Sequence, residues 1–255
     1  MRILLIGDVI GRPGRRAVRN LVPGLRRDLD LNLVIANGEN AAGGKGLTPE
    51  TADELFGSGV DVITSGNHIW AQKEILPLLD TDIAIIRPLN FAPGVPGRGY
   101  IWWRDILIVN LIGRTFMSDV DCPFRAMNQL LEELTKKPEA IFVDFHAEAT
   151  SEKQAMGRYL DGRVTAVVGT HTHVGTVDTR ILPKGTAFVT DIGMVGPSDS
   201  IIGDSVDDVL HRFLTHMPSR LSVGKGTVMF NAVLVEKEPG TMGAASISRI
   251  DKEVE

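Results

Sequence analysis

Cysteine is nearly absent from this sequence, because Cys122 is the only one in 255 residues, which excludes an internal disulfide. Long apolar runs are missing as well, since none approaches the roughly 18 residues that a membrane-spanning helix needs. The opening run Met1 to Ile6 is interrupted by Gly7 and Asp8 before the apolar region of a signal peptide could form. We therefore expect a cytoplasmic protein without a membrane segment.

An excess of positive charge is also missing. The chain has 27 lysines and arginines against 32 aspartates and glutamates, which gives a net charge of −5. This balance disfavours stable binding to a nucleic acid backbone but leaves a small anionic substrate open. The hydrophobic fraction of 43% suits a globular chain with a sizeable core. No repeat or long linker divides the chain, so we expect one domain over residues 1–255.

Short strand-like runs alternate with helical patterns along most of the chain. This alternation predicts βαβ units, and therefore an α/β fold with mainly parallel strands. Residues 100–103 and the closing strand could pair antiparallel, so a mixed sheet and two packed sheets are both open. The tail after Lys237 is predicted to fray. The predicted strands are 2–6, 33–36, 60–64, 83–86, 106–111, 140–145, 164–168, 186–190 and 227–235, and the predicted helices are about 13–28, 49–57, 72–79, 124–136, 151–160 and 204–215.

Polar residues that can bind metal ions follow five of the predicted strands. In an open α/β sheet, ligands bind outside the carboxyl ends of the strands, so these side chains should meet at one place. Each residue alone is equally well explained by a turn, a helix cap or a hydrogen bond, but their coincidence favours a site. Oxygen and imidazole ligands without thiolates suit Mn, Fe or Zn, and two ions about 3.5 to 4 Å apart would activate water. The residues are Asp8, Glu39, Asn40, Asn67, His68, His146, His171 and His173.

The stretch from Gly169 to His173 presents a geometric problem. Successive side chains of a strand point to opposite faces, so His171 and His173 cannot reach one ion while the chain stays extended. They must lie on the loop beyond the strand, or each must serve a different ion. The other two histidines, His211 and His216, lie in or near a helical pattern and are expected at the surface or in packing contacts.

Several stretches resemble the calcineurin-like metallophosphoesterase superfamily, and in particular its bacterial YmdB-type phosphodiesterases, over residues 1 to about 235. They are residues 7–14, 37–44, 66–68, 144–153, 169–174 and 190–194. Two positions depart from the wider superfamily, because Ile10 replaces a usual His and Glu39 replaces a bridging Asp. Both departures are usual in the YmdB-type subfamily, whose site resembles one in which Asn40 supplies the ligand lost at position 10.

The resemblance implies a four-layer α-β-β-α sandwich, in which two mixed central sheets are flanked by helices. It also implies one ion held by Asp8, Glu39, Asn40 and His173, and a second ion held by Glu39, Asn67, His146 and His171. The implied activity is hydrolysis of cyclic nucleotides, 2',3'- or 3',5'-cyclic, or of related phosphodiesters, by attack of a metal-bridged hydroxide. Iron or manganese is the expected metal, and zinc is the alternative.

Residues around the ligand set are open to more than one interpretation. We assign His68 to the leaving-group side, where it would donate a proton or a hydrogen bond, although it could instead be an extra ligand or orient one. Three arginines near Asp8 could contact phosphate or form a solvated face, and three other charged residues could orient metal-bound histidines or contact substrate. These six are Arg12, Arg15, Arg16, Glu148, Lys153 and Asp191.

Two other functions stay open. A phosphomonoesterase or nucleotidase on the same scaffold would need extra positive groups around a dianionic phosphate. A non-catalytic nucleotide-sensing regulatory protein would keep the fold, but a degraded site would be expected to have lost a ligand, and none of the set is missing. The expected partner is a small phosphodiester or cyclic nucleotide, and self-association into a homo-oligomer stays open.

Overall fold

The computed structural model describes residues 1–254, which form thirteen β-strands and six α-helices. The strands are β1 Arg2–Ile6, β2 Asp8–Val9, β3 Leu33–Asn37, β4 Val62–Thr64, β5 Tyr100–Trp103, β6 Ile106–Ile112, β7 Ala140–His146, β8 Ala166–Thr170, β9 Arg180–Ile181, β10 Ala187–Val189, β11 Met194–Pro197, β12 Val228–Lys237 and β13 Ala244–Val254. The helices are α1 Gly11–Asp28, α2 Pro49–Gly57, α3 Leu76–Leu79, α4 Pro123–Glu133, α5 Thr150–Leu160 and α6 Val206–Thr215. Within the described residues, no helix is both long enough and apolar enough to cross a membrane.

The strands form two mixed sheets. The seven-stranded sheet has the order β2-β11-β12-β1-β3-β4, with β13 paired to β12. In it β1, β3 and β4 run parallel, whereas β12 is antiparallel to β1, β11 and β13. The six-stranded sheet has the order β5-β6-β7-β8-β10-β9, in which the four central strands are parallel and the two edge strands antiparallel. The prediction of an α/β fold with mixed sheets is confirmed.

The two sheets pack face to face, with helices on both outer faces. Because side chains alternate along a strand, Ile3 of β1 faces the core between the sheets, which also contains Phe142 of β7. Leu4 faces outward to the core formed with α1 and α2, and Val143 faces outward to the core formed with α4 and α5. Both faces of these strands are therefore buried, which explains their nearly continuous apolar runs. The predicted four-layer sandwich is confirmed.

The carboxyl ends of the parallel strands place the polar residues at one edge of the sandwich. In the first sheet, the chain leaves β3 at Asn37 and β4 at Thr64, just before the predicted ligands. In the second sheet, β7 ends at His146, which lies in register with Thr170, the last residue of β8. Strand ends from both sheets therefore surround one site.

The loop that carries Glu39 and Asn40 leads into a capped helix. The hydroxyl of Thr48 accepts the N–H of Thr51 at 3.2 Å, and the Thr51 hydroxyl accepts the N–H of Thr48 at 2.9 Å. This reciprocal pair satisfies two backbone donors that an uncapped helix leaves free. The start of α2 is thereby fixed, and with it the end of the loop.

Two predicted elements are wrong. Residues 83–86 form no strand, because only an isolated bridge joins Ile85 to Ile63 and Pro88 follows shortly afterwards. The tail after Lys237 does not fray, because Ala244–Val254 pairs antiparallel with β12 over its whole length. The single helix predicted over residues 72–79 is instead a 3-10 turn over Lys73–Ile75 followed by the short α3. Strand 164–168 is shifted to Ala166–Thr170, so it ends directly before His171.

Candidate metal centre

Three ligand-type atoms converge on one nitrogen of the buried His146. Its Nε2 lies 3.0 Å from Asn67 Oδ1, 3.0 Å from His171 Nδ1 and 3.2 Å from Glu39 Oε1. A ring nitrogen carries at most one proton, so hydrogen bonding cannot satisfy all three neighbours. Glu39, His146 and His171 also offer ligand atoms that all lie within 4.8 Å of one another. This arrangement is typical of groups that surround a cation.

A second group of polar atoms lies around Asp8, whose side chain is fully buried. Asp8 Oδ2 accepts the backbone N–H of His171 at 3.1 Å, but Oδ1 has no hydrogen-bond partner. His173 Nε2 lies 3.7 Å from this oxygen. The other ring nitrogen, Nδ1, is 2.6 Å from the carbonyl oxygen of Ile202, so the proton sits on Nδ1 and Nε2 keeps its lone pair. An unpartnered buried oxygen facing a lone pair calls for a cation between them.

The two histidines of the Gly169 to His173 stretch lie on the loop beyond β8. His171 and His173 have φ angles of +99° and +64°, so the alternation of a strand no longer applies to them. The ring of His171 packs edge-on against His146, with 4.6 Å between ring centroids, whereas His173 lies beside Asp8. The rings of the two histidines therefore contact different members of the cluster. Positive φ angles at two residues with side chains also mean that the surrounding contacts hold this loop in a strained backbone conformation.

His68 lies at the rim of the cluster. Its backbone N–H donates to Glu39 Oε2 at 3.0 Å, and its ring Nδ1 lies 2.8 Å from Asn40 Oδ1. The side chain is 28% exposed and lines a cavity of about 340 Å³ above the cluster. Gly66 precedes it, and a Cβ there would collide with the His146 ring and the Glu39 carboxylate. Only a glycine lets this turn pass so close to the buried ligands.

Burial and neighbouring charges shift the pKa values of these groups in opposite directions. Burial raises the pKa of the Asp8 carboxyl to about 6. Burial would also raise the pKa of Glu39 and lower that of His146, but their mutual attraction dominates and brings the pKa of Glu39 to about 2 and that of His146 to about 9. Burial, with the nearby His146, lowers the pKa of His171 to about 3. In the protein alone, a proton on His146 therefore balances Glu39, and the ring of His171 is neutral.

The donor set fits transition-metal ions. Two buried carboxylates, two amides and three imidazoles without a thiolate suit Mn, Fe or Zn. The unpartnered Oδ1 of Asp8 and the crowded Nε2 of His146 are both explained if cations bind there. The structure brings all eight predicted site residues into this cluster, and their individual roles stay predictions; they are Asp8, Glu39, Asn40, Asn67, His68, His146, His171 and His173.

Asn40 faces the cluster with its amide nitrogen. Its Nδ2 lies 3.3 Å from Glu39 Oε1 and 3.2 Å from His173 Nε2, while its Oδ1 faces His68. Metal ions bind the oxygen of an amide, because the nitrogen has no free lone pair. The ligand role predicted for Asn40 therefore requires the opposite orientation of the amide, in which Nδ2 would donate to His68 Nδ1.

A buried ion pair holds the two-histidine loop from below. Lys153 Nζ lies 2.5 Å from Asp191 Oδ2, and both side chains are 1% exposed. The same oxygen accepts the backbone N–H and the hydroxyl of Thr172, at 3.2 and 2.8 Å. Asp191 Oδ1 also accepts the N–H of Gly193 at 2.8 Å. The pair thus fixes the residue that lies between the two histidines.

Lys153→Met should destabilise the fold by about 3–5 kcal/mol, because it leaves the Asp191 carboxylate charged, buried and unpaired. The matched control is Lys136→Met, which breaks a pair with Asp105 of similar length, 2.6 Å, whose side chains are 57% and 63% exposed. Lys136→Met should lower the free energy of unfolding by no more than about 1 kcal/mol. Urea unfolding followed by circular dichroism measures both. Equal losses in the two variants would show that the buried pair does not anchor the loop.

The remaining charged residues of interest lie away from the cluster or at its rim. Arg15 Nε pairs with Glu54 at 2.6 Å, so it is held against α2. Glu148 Oε2 lies 3.2 Å from His171 Nε2 at the mouth of the cavity, where it can orient that ring. Four other side chains are exposed, which agrees with a solvated face for the arginines and a surface position for the histidines: Arg12, Arg16, His211 and His216.

The sequence patterns missed residues that lie beneath the cluster and above it. Beneath it, Asp144 and Thr170 are buried and hydrogen-bonded to each other. A signal existed, because each is a polar residue within an apolar buried strand. Above it, Ile202 and Asp204 line the cavity. They come from an irregular loop far along the chain, and no spacing or motif relates them to the ligands.

The two mixed sheets with outer helices, and the carboxylate, amide and imidazole groups at their carboxyl edge, define a metallophosphoesterase-type protein. The chain belongs to the YmdB-like family, because the protein-family model described as "YmdB-like protein" matches residues 4–250. The predicted resemblance is confirmed. The 2',3'-cyclic-nucleotide 2'-phosphodiesterase of Bacillus subtilis (strain 168) is 48% identical over 254 residues, which cover 98% of this chain and 96% of that protein.

Solved structures share the fold over the whole chain. The crystal structure of a hypothetical protein from Thermus thermophilus superposes with a TM-score of 0.94 at 46% identity, and the match covers 100% of both chains. The crystal structure of a phosphatase from Mycoplasma pneumoniae superposes with a TM-score of 0.93 at 34% identity, covering 99% of this chain and 93% of that chain. The four-layer architecture is therefore common to these proteins.

Proposed function

We propose that this protein is a dinuclear metal-dependent phosphodiesterase that hydrolyses 2',3'-cyclic nucleotides, 3',5'-cyclic nucleotides or related small phosphodiesters. The observation that carries the proposal is the convergence of Glu39, Asn67 and His171 on Nε2 of His146, next to the unpartnered Oδ1 of Asp8. The name of the B. subtilis relative supports the reaction class. In this proposal residues 1–255 act as one domain in the cytoplasm, where free nucleotides are found.

The proposed ligands divide into two sets that share Glu39. The first ion is held by Asp8, Glu39, Asn40 and His173, and the second by Glu39, Asn67, His146 and His171. The contacts support this division, because His173 lies beside Asp8 while His171 lies beside His146. Iron or manganese is the proposed metal, with zinc as the alternative. When bound, the ions supply Lewis acidity towards the phosphoryl oxygens and activate water.

His68 is proposed to handle the proton of the leaving group. Its Nδ1 lies 2.8 Å from the side-chain amide of Asn40. With that amide oriented as the proposed ligand, its Nδ2 donates to His68 Nδ1, which orients the ring and leaves Nε2 as the nitrogen that carries and exchanges the proton. Its backbone N–H is bonded to Glu39, so the ring keeps a fixed position relative to the proposed ligands. An alkoxide leaving group needs a proton as it departs, and a partly exposed imidazole at the cavity rim can deliver it.

The charge of the cavity favours a diester over a monoester. Among the described residues, no lysine or arginine lines the cavity above the cluster, whereas the carboxylates of Glu148 and Asp204 do. A monoester is a dianion at its terminal phosphate and would be repelled more strongly by these groups than a diester monoanion. This lining supports the phosphodiesterase over the phosphomonoesterase alternative.

Matched substrates test the proposal. The protein is treated with a chelator, reloaded with Mn²⁺ or Fe²⁺ and given two diesters, bis(p-nitrophenyl) phosphate and a 2',3'-cyclic nucleotide, and one monoester, p-nitrophenyl phosphate. We expect kcat/KM for each diester to exceed that for the monoester by at least about tenfold, which corresponds to a difference of about 1.4 kcal/mol between the activation free energies. Asp204→Asn removes one rim carboxylate and should narrow that preference. Preference for the monoester would favour the phosphomonoesterase. Metal-loaded protein that turns over neither class would favour the non-catalytic sensor.

A further inference from the structure

A buried polar network lies directly beneath the cluster. Its centre is the carboxylate of Asp144, which is 4% exposed and stands two residues before His146 on β7. Asp144 Oδ1 accepts the hydroxyl of Thr170 at 2.7 Å. Its Oδ2 accepts the hydroxyl of Thr64 at 2.5 Å and the Nδ2 group of Asn37 at 3.1 Å. Both oxygens of this carboxylate therefore act only as acceptors.

The direction of these bonds determines where His146 carries its proton. A threonine hydroxyl has one proton, and that of Thr170 is donated to Asp144. The contact of 3.0 Å between Thr170 Oγ1 and His146 Nδ1 must then be an Nδ1–H group donating to the hydroxyl oxygen. In the neutral ring, the proton consequently lies on Nδ1. The opposite nitrogen, Nε2, keeps its lone pair on the side where Glu39 and His171 converge.

The same carboxylate joins the two sheets at the edge that carries the site. Asn37 ends β3 and Thr64 ends β4, and both belong to the first sheet, whereas Asp144 and Thr170 belong to the second. Asn37 Oδ1 also accepts the backbone N–H of Glu39 at 3.2 Å. One buried group thus links the loop that carries Glu39 to the strand that carries His146.

We infer that Asp144 and Thr170 are positioning residues for the proposed metal centre. Together they set the protonated nitrogen and the orientation of the His146 ring, so that its Nε2 lone pair is available to a cation. Neither residue reaches the substrate cavity, because both are buried below the ligands. The inference rests on the proposed function, since it assumes that His146 binds a metal ion.

Two substitutions at Thr170 test the inference. Thr170→Val replaces the hydroxyl with a methyl group of similar size and leaves His146 Nδ1 without an acceptor, whereas Thr170→Ser keeps the hydroxyl. Isothermal titration of Mn²⁺ into chelator-treated protein should show about 10- to 100-fold weaker binding for the valine variant. The serine variant should bind within about threefold of the wild type, because it keeps the second hydrogen bond of the imidazole.

A spectroscopic measurement distinguishes a specific effect on the His146 ring from a loss of folded structure. The Nδ1–H proton of His146 is buried, so in the Zn²⁺-loaded protein it should exchange slowly and appear as a ring N–H signal in ¹H–¹⁵N spectra. We expect this signal in the wild type and in Thr170→Ser, and its loss or a large shift in Thr170→Val. Thermal unfolding of each variant shows that the fold is intact.

A second pair of variants tests the carboxylate. Asp144→Asn places the NH₂ group of an amide where the Thr170 hydroxyl needs an acceptor. The Thr170 hydroxyl then donates to His146 Nδ1 instead of accepting from it. This variant should therefore weaken Mn²⁺ binding as much as Thr170→Val does. Asp161→Asn is the matched control, because Asp161 is 8% exposed and accepts the N–H of Lys184 at 3.1 Å at the opposite end of β8. It should keep wild-type affinity.

The outcomes distinguish the inference from the proposed function. If Thr170→Val binds Mn²⁺ as tightly as the wild type with an unchanged ring N–H signal, the positioning role is wrong while the metal centre stands. The same conclusion follows if Thr170→Ser weakens binding as much as Thr170→Val. A wild-type protein that binds no metal ion would overturn the centre and the inference together.

Discussion

Glu39→Gln is expected to remove at least one metal ion per chain and to lower phosphodiester turnover by about 10³-fold or more. Glu39 is the proposed bridging ligand, so its replacement by a neutral amide removes the negative charge that both ions would share. Lewis acid stabilisation by a bound ion contributes several kcal/mol, and each 1.36 kcal/mol is a factor of ten in rate. Metal analysis of the purified variant and the rate with bis(p-nitrophenyl) phosphate measure the two effects.

The control for this change is Glu152→Gln. Glu152 lies in the first turn of α5 and accepts the backbone N–H of Arg114 at 3.0 Å, outside the cluster. The same substitution there should leave the metal content at two ions per chain. The bridging assignment would be refuted by a Glu39→Gln protein that keeps two tightly bound ions and turns over within tenfold of the wild type.

His68→Ala is expected to keep both ions and to lower turnover by about two or more orders of magnitude, the usual contribution of a positioned acid. The ring lies beside Asn40 and Glu39 but is not in either proposed ligand set. The deficit should be largest for a cyclic nucleotide, which expels an alkoxide, and smaller for bis(p-nitrophenyl) phosphate, whose phenolate leaves without protonation. Turnover of both substrates and metal content decide the assignment.

His211→Ala provides the matched control, because His211 is exposed on α6 and is not one of the predicted site residues. Its metal content and turnover should equal those of the wild type. Loss of metal in His68→Ala would show that His68 is a ligand. Equal deficits on the two substrates would show that it orients the site without transferring a proton to the leaving group.

The strands that could be predicted are those with both faces buried. A strand such as β6 or β7, packed between a helix layer and the first sheet, has no polar face, so its apolar run is visible in the sequence. The strand β13 could not be predicted in this way. Its residues are mostly half-exposed or exposed, and it is held by backbone hydrogen bonds to β12 rather than by its own apolar pattern.

The convergence of the proposed ligands was predictable because these residues share a local context. Asp8, Glu39, Asn67, His146 and His171 each follow or end a strand, and parallel strands bring their carboxyl ends to one edge. The buried residues that hydrogen-bond beneath the proposed ligands were not predictable. Asp144 meets Thr170, 26 residues away, because β7 and β8 pair within one sheet, and it meets Thr64, 80 residues away, only because the two sheets pack face to face.

The amino-acid sequence by itself determined which side chains reach the site, since metal-binding chemistry belongs to the residue type and strand ends are encoded by local patterns. The tertiary structure decided which neighbours each side chain meets there. It placed His171 beside His146 and His173 beside Asp8, and it set the side-chain amide of Asn40 between His68 and His173. The physical reason is that the orientation of a side chain, and the nitrogen on which an imidazole carries its proton, depend on hydrogen-bond partners from other strands. Those partners are far apart in the sequence and meet only in the folded chain.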